Sequence, residues 1–422
     1  MTGPELKTIP GGTRVLCERM PGRESVTVGV WIKTGSRYEP ARLQGISHFL
    51  EHMLFKGTPR RTSRQISRAI EGIGGSLNGF TSEECTCYWA RVRKDHLAEA
   101  VDVLLDMVAH PRLTEDDLER ERGVILEEMR MYRDNPAYHV HELIQEAMWP
   151  DQPLGRSILG TAGTIARMKR SDLANYHSRR YAPDQTAVVA CGEVDAAELF
   201  ELVRGRVTEG KATRRTRTRP GEFARNGTRE LIDTRPIEQA NLSLGFPGLS
   251  RDHPDRCSLI LLSIILGGNM SSRLFQEIRE KRGWVYSIRS DPESYCDCGD
   301  LVISAGLPPE KLEATVKLIG KELRRIREKA PAKSELARAR EYYLGQTALS
   351  LEKTSSRMFW LGGHLLATGR VATPNELYAK VKAVTPRSLL AMARRVFRPG
   401  KCCTAVIGPI PSTPNPPRLK PI

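Results

Sequence analysis

"TIARMKRSDLANYHSRRYAPDQTAVVACG", residues 164–192, reads as a polar-faced helix, an aromatic-x-Pro turn and an apolar strand ending on glycine. The same order recurs in "KVKAVTPRSLLAMARRVFRPGKCCTAVIG", residues 380–408. Aligned without gaps, Leu173 falls on Leu389, Tyr181 on Phe397, Pro183 on Pro399 and Gly192 on Gly408. The opening strands agree as well. "SVTVGVWIKTGSRYEP" (25–40) and "QANLSLGFPGLSRDHP" (239–254) each run from an alternating strand to a Ser-Arg turn that closes on a proline, Pro40 and Pro254. Two correspondences in the same order point to a duplicated domain of about 200 residues, an ordinary domain size. The expected division is 1–205, a basic linker at 206–229, and 230–422.

Helical periodicity follows the strands in each half, at 62–73, 96–109 and 114–134, then at 309–328, 333–351 and 374–396. Strands grouped apart from runs of consecutive helices argue for an α+β chain rather than a doubly wound sheet. The fold expected is two homologous α/β-sandwich domains, each a mostly antiparallel sheet with helices packed on one side.

Composition narrows the function classes. A chain of 422 residues, 40% hydrophobic and 27% charged, is globular and too long for one core. The longest apolar run, "CSLILLSIILGG" (257–268), is about half of what spans a bilayer, so no membrane span is expected. The start, "MTGPELKTIPGGTRVL", lacks the basic-then-apolar pattern of a secretory signal. The expected location is the cytoplasm, or the mitochondrial matrix for a processed eukaryotic form. Nine cysteines without a pair of C-x-x-C motifs read as free thiols rather than a zinc cage or a disulfide framework. Lys and Arg outnumber Asp and Glu by 65 to 50. The densest basic stretch, residues 211–229, is interleaved with Gly and Pro and reads first as a solvated linker. With no zinc finger and no RNP-type aromatic pair, no specific nucleic-acid partner is expected.

The chemistry concentrates in "HFLEHMLFKGT", residues 48–58. Ile46, Phe49, Leu50, Met53 and Leu54 recur at helical spacing and form one apolar stripe. At 100° per residue, His48, Glu51 and His52 share the opposite face. Two histidines one turn apart can point at a single metal ion, and Glu51 stands beside them to take a proton from water. The pattern H-x-x-E-H is the inverse of the zinc-protease H-E-x-x-H; the plainer alternative is a solvated face with two surface histidines. A catalytic zinc normally takes three protein ligands. In "LTEDDLERERGVILEEMRMYRDNP" (113–136) the apolar stripe passes through Leu118, Ile125, Met129 and Tyr132. Glu128 and Glu121 lie along its edge, two turns apart, whereas Glu127 points away. Glu128 is the candidate third ligand and Glu121 a supporting carboxylate, with salt bridges to neighbouring arginines the open alternative.

Taken together, "VWIKTGSRYE", "HFLEHMLFKGT", "GSLNGFTSEE", "ERERGVILEEM" and "QPLGRSILG" resemble the pitrilysin-type zinc metallopeptidases, the group that includes the mitochondrial processing peptidase β subunit and its bacterial relatives. "GGNMSSRLFQEIREKRGWVYS" in the second half resembles them too, so the likeness spans nearly the whole chain. It implies a metalloendopeptidase binding one zinc ion per chain through His48, His52 and Glu128, with Glu51 as base and Glu121 in support. It also implies peptide or presequence-like substrates held by adding a strand along Asn78, Gly79 and Phe80, and a pair of chains facing each other. A homodimer is expected, or a heterodimer with a related chain. Two departures stand out: Gly79 where the family often has Ala, and Asn269 in the third place of a glycine-rich loop.

The second half carries no H-x-x-E-H. Its "SSRLFQEIREKRGWVYS" reads as a helix from about Ser272 to Arg282, stopped by Gly283, with a strand from Trp284. From the residues alone Arg279 and Tyr286 read first as a helix-end arginine and a packed tyrosine; by resemblance they are catalytic-site groups that grip substrate near the zinc. Two rivals remain: a non-catalytic scaffold or partner subunit of a related peptidase assembly, and polyanion binding through the linker.

Overall fold

The computed structural model describes residues 3–207, 220–224, 229–410 and 421; most of the basic linker therefore lies outside the described residues. The described chain forms two compact units, each a sheet with helices. None of the described helices is long and apolar enough to cross a membrane.

The first unit is built on a six-stranded sheet of β1 (Glu5–Thr8), β2 (Arg14–Arg19), β3 (Ser25–Ile32), β4 (Ser76–Thr81), β5 (Thr86–Arg93) and β6 (Thr186–Gly192), in the order β1-β2-β6-β3-β5-β4. Only β2 and β6 run parallel. The second unit has β7 (Glu230–Thr234), β8 (Ala240–Pro247), β9 (Ser287–Ser294), β10 (Gly299–Leu307) and β11 (Cys403–Gly408), in the order β7-β11-β8-β10-β9. Here only β7 and β11 run parallel. Without β1, the two orders are one topology, so the duplication read from residues 164–192 and 380–408 is a duplication of the whole sheet. The fold is α+β as expected.

The units are not contiguous in sequence, as a division at 205 and 230 would have them. Residues 130–156 belong to the second unit and residues 348–372 to the first. Each stretch carries a helix that covers the second face of a sheet, so the sheets have helices on both faces rather than one. The Thr354–Thr368 helix seals the first sheet: Trp31 Nε1 meets Met358 Sδ at 3.3 Å, Thr354 Oγ1 lies 2.9 Å from Thr27 Oγ1, and half-buried Arg357 pairs with Glu18. The Pro136–Met148 helix does the same for the second sheet. Gly29 in β3 and Gly245 in β8 make room for this, since a Cβ at either would collide with the sulfur of Met358 or Met148.

Two helical expectations are corrected. The 374–396 pattern is two helices, Pro374–Ala383 and Pro386–Val396, because Pro386 cannot continue a helix and Thr385 caps a new one. The helix before Gly283 ends early, at Glu280, and its last stretch, Phe275–Glu280, is a π-helix; β9 begins only at Ser287. Gly283 does adopt the left-handed conformation, φ 61°.

Candidate metal centre

Helix α1 (Ile46–Leu54) is fixed by its first turn. Gly45 precedes it at φ 92°, and a Cβ there would strike the Leu159 carbonyl. The buried Glu39 carboxylate accepts from the N–H groups of Gly45 at 2.7 Å and Ser47 at 2.8 Å. A carboxylate there satisfies otherwise unpaired helix N–H groups and suits the helix dipole. The five apolar residues of the stripe are wholly buried. The polar face is not a free face: His48 and Glu51 are each 9% exposed. Burying such groups is costly unless something pairs with them.

What faces them is the Glu115–Asp134 helix, which buries Leu118, Glu121 and Ile125 along the side that also carries Glu128. Glu128 Oε2 lies 3.7 Å from His48 Nε2 and 3.6 Å from His52 Nε2. Ligand atoms about 2.1 Å from one tetrahedral zinc stand about 3.4 Å apart, so the spacing suits a single ion. Glu128 Oε2 is buried with no hydrogen-bond donor, an arrangement that calls for a cation. Burial raises the Glu128 carboxyl above its usual pKa, with His52 only partly offsetting it. Burial, with His52 adding to it, pushes His48 down to about 3, so its imidazole is neutral and can ligate near pH 7. The residues therefore fit zinc.

The surroundings orient these groups. His52 Nδ1 lies 3.1 Å from Glu121 Oε2, and Lys56 Nζ holds Glu121 Oε1 at 2.6 Å. Burial works against the Glu121 charge, but His52 and Lys56 outweigh it and hold the carboxyl below the usual range. Glu51 Oε2 accepts from Thr81 Oγ1 at 2.6 Å. Burial raises the Glu51 carboxyl, and the Thr81 bond only partly offsets this.

The first unit thus brings His48, Glu51, His52, Glu121 and Glu128 together, with the edge strand β4 alongside. Asn78 is exposed on β4, its Oδ1 accepting from the Gly79 N–H at 2.8 Å. Phe80 does not offer its ring to the Glu51 side. It packs against Trp31 and Phe359, with centroids 5.7 and 5.8 Å away, because alternation along β4 sends Gly79 and Thr81 to one face and Phe80 to the other. Arg279 and Tyr286 come together in the second unit. The Arg279 guanidinium lies 4.8 Å from the Phe275 ring centre and 5.9 Å from that of Tyr286, whose side chain is 77% exposed. Sequence reading passed over Glu39, Lys56 and Thr81. Lys56 stands one turn beyond His52 on the polar face and Thr81 two residues beyond Gly79, so both carried a periodic signal; Glu39 did not.

Comparison with known proteins bears on the chain as a whole. Residues 14–162 match the model of the insulinase family (peptidase family M16), and residues 167–343 match that of the peptidase M16 inactive domain. An uncharacterized zinc protease of Streptomyces coelicolor is 38% identical over 411 residues, covering 96% of this chain and 89% of its own length. The chain belongs to peptidase family M16. Its family relatives include a Bacillus subtilis uncharacterized zinc protease, 38% identical over 393 residues, covering 92% of this chain and 95% of its own length. The M16 fold is matched by the crystal structure of a Helicobacter pylori protease at TM-score 0.90, with 22% identity, covering 96% of this chain and 99% of that one. A Pseudomonas fluorescens peptidase M16 inactive domain matches at TM-score 0.89 and 18% identity, covering 98% of this chain and all of that one (100%). Within this M16 chain the H-x-x-E-H helix lies in the stretch matched by the insulinase model, and residues 167–343, matched by the inactive-domain model, carry no such motif.

Proposed function

We propose that this chain is a zinc endopeptidase that cleaves peptides and unfolded segments, holding one zinc ion through His48, His52 and Glu128. The observation that carries the reading is Glu128 Oε2, buried, without a donor, and equidistant from two imidazole nitrogens at 3.6 and 3.7 Å. Zinc held there would supply Lewis acidity, polarising a peptide carbonyl and bringing the pKa of a water to about 7.

The chain's own residues do the rest. Glu51, on the same helix face as the histidines, takes a proton from the attacking water and passes it to the leaving amine; its raised pKa brings it closer to the neutral range where a base of this kind works best. Glu121, tied to Lys56, fixes the His52 ring so that Nδ1 donates to the carboxylate and Nε2 stays free to ligate. Strand β4 pairs with β5 on one side only, so an extended peptide can add to its other edge with loose sequence demands. Arg279 and Tyr286 serve as substrate-gripping groups, and the π-helix that carries Arg279 suits such a role, since π-turns recur at functional sites. A homodimer fits a chain that carries both the zinc motif and the Arg-Tyr pair.

The test is cleavage of a mixed peptide library, read by mass spectrometry, before and after chelation and after zinc is restored. Loss on chelation and recovery with zinc support the reading. Cleavage indifferent to chelator, or none at all with zinc bound, contradicts it.

A further inference from the structure

The Glu51 carboxylate is held at one oxygen and open at the other. Its Oε2 receives the Thr81 hydroxyl at 2.6 Å, the length of a charge-assisted O–H···O⁻ bond. Its Oε1 lies over Gly79, where a Cβ would come within 3.3 Å of it. Gly79 and Thr81 are two residues apart on β4 and point to the same face, paired across the ladder with Tyr88 and Thr86 of β5. One residue thus leaves space beside the carboxylate, and the other supplies the donor.

We propose that Thr81 is the positioning residue for the base, committing Oε2 to its hydroxyl so that Oε1 is the oxygen that receives the proton. This rests on the reading of Glu51 as the base. Its further consequence concerns the strand. The edge that takes the peptide as an added strand also carries the hydroxyl that aims the base. Peptide register along β4 and the orientation of Glu51 are therefore set by one element, with no loop between them. The Thr81 hydroxyl donates to the Glu51 oxygen that does not receive the proton, so its effect is routed through the orientation of Glu51.

The experiment compares wild type with Thr81→Val, Thr81→Ser, Glu51→Gln and the double variant Thr81→Val/Glu51→Gln. Each is measured for kcat, KM, zinc affinity by chelator competition, and thermal unfolding. Thr81→Val should lose about 10- to 100-fold in kcat, the usual worth of one hydrogen bond to a charged group, with KM and zinc affinity unchanged. Thr81→Ser, which keeps the hydroxyl, should recover most of that loss. In the Glu51→Gln background, Thr81→Val should cost nothing more. If Thr81→Val fails to fold, Thr81→Ala takes its place in every comparison.

Normal kcat in Thr81→Val beside an inactive Glu51→Gln overturns the proposal and leaves the base reading intact. A Thr81→Ser variant as slow as Thr81→Val overturns it too, since the hydroxyl is then not what matters. Losses that multiply in the double variant place Thr81's effect outside Glu51 and overturn it. A fully active Glu51→Gln removes the base reading, and this inference with it.

Discussion

His52 Nδ1 and Glu121 Oε2 stand 3.1 Å apart, joining α1 to the Glu115–Asp134 helix at an imidazole whose other nitrogen faces Glu128. His48 has no such support, for its Nδ1 is buried without a hydrogen-bond partner. The proposed metal site is therefore braced on one side only. That asymmetry makes Glu121 the supporting residue whose loss should be felt most.

Glu121→Gln should weaken zinc binding about 10- to 100-fold, the usual cost of removing a carboxylate that orients a metal-ligating histidine. Competition with a chromogenic chelator measures it. Unchanged affinity would show that the His52 ring is held by packing alone.

Glu127 and Glu128 are neighbours with opposite prospects. Glu128 faces both histidines, whereas Glu127 is exposed on the far side of the helix. Glu128→Gln should purify with little zinc and Glu127→Gln with the wild-type amount, read by elemental analysis. Equal zinc in both variants would remove Glu128 from the site.

Glu39 anchors α1 through two charge-assisted bonds to backbone N–H groups. Glu39→Ala should cost about 2–3 kcal/mol or more in urea unfolding, because buried N–H groups lose their acceptor. It should also lower zinc affinity, since α1 carries two of the proposed ligands. An unchanged unfolding midpoint would mean that other groups seat the helix.

Asp102 gives a pH-dependent prediction away from the metal. Burial opposes its charge, but Arg206, Arg61 and Arg60 outweigh it and bring its pKa down to about 2. A depressed folded pKa means that the stabilisation is fully present above the unfolded value, about 3.9, and is lost as pH falls through about 2. Asp102→Asn should therefore be less stable than wild type at pH 6, with the gap closing between about pH 4 and pH 2. A gap that stays constant over that range would show that the arginines do not stabilise the charge.

In the second unit, Tyr286→Phe should keep the fold and lose at least about tenfold in cleavage, a lost transition-state donor typically costing about 10²- to 10³-fold. Arg279→Ala should raise KM. If both variants cleave normally, the second unit contributes architecture and no chemistry.

Much of this was legible in the residues because short-range periodicity carries it. His48, Glu51 and His52 lie on one turn of one helix, and Glu121 and Glu128 on one face of another, so helical spacing alone groups them. The duplicated sheet was visible in the strand-and-turn pattern that ends at Gly192 and Gly408. What was not legible depends on which surfaces meet. An apolar helix face does not say which sheet it will cover, so the exchange of the Thr354–Thr368 and Pro136–Met148 helices left no local mark except glycines at Gly29 and Gly245. Glu39 lies outside any capping spacing, and its role needs the turn at Gly45 to bring it back. Which way the Phe80 ring turns follows from alternation along β4, a feature the strand reading of residues 78–80 left open. The break at Pro386 had its signal in Thr385-Pro386, which was overridden by the apolar pattern on either side.

In the proposed mechanism His48, His52 and Glu128 hold zinc and Glu51 moves the proton. Glu51→Gln tests both halves at once when zinc content and peptide-cleavage rate are measured on the same preparation. The expected result is one zinc per chain, as in wild type, with cleavage lowered by about 10²- to 10⁴-fold, the range for a lost general base. A zinc-loaded Glu51→Gln protein that cleaves at the wild-type rate would contradict it.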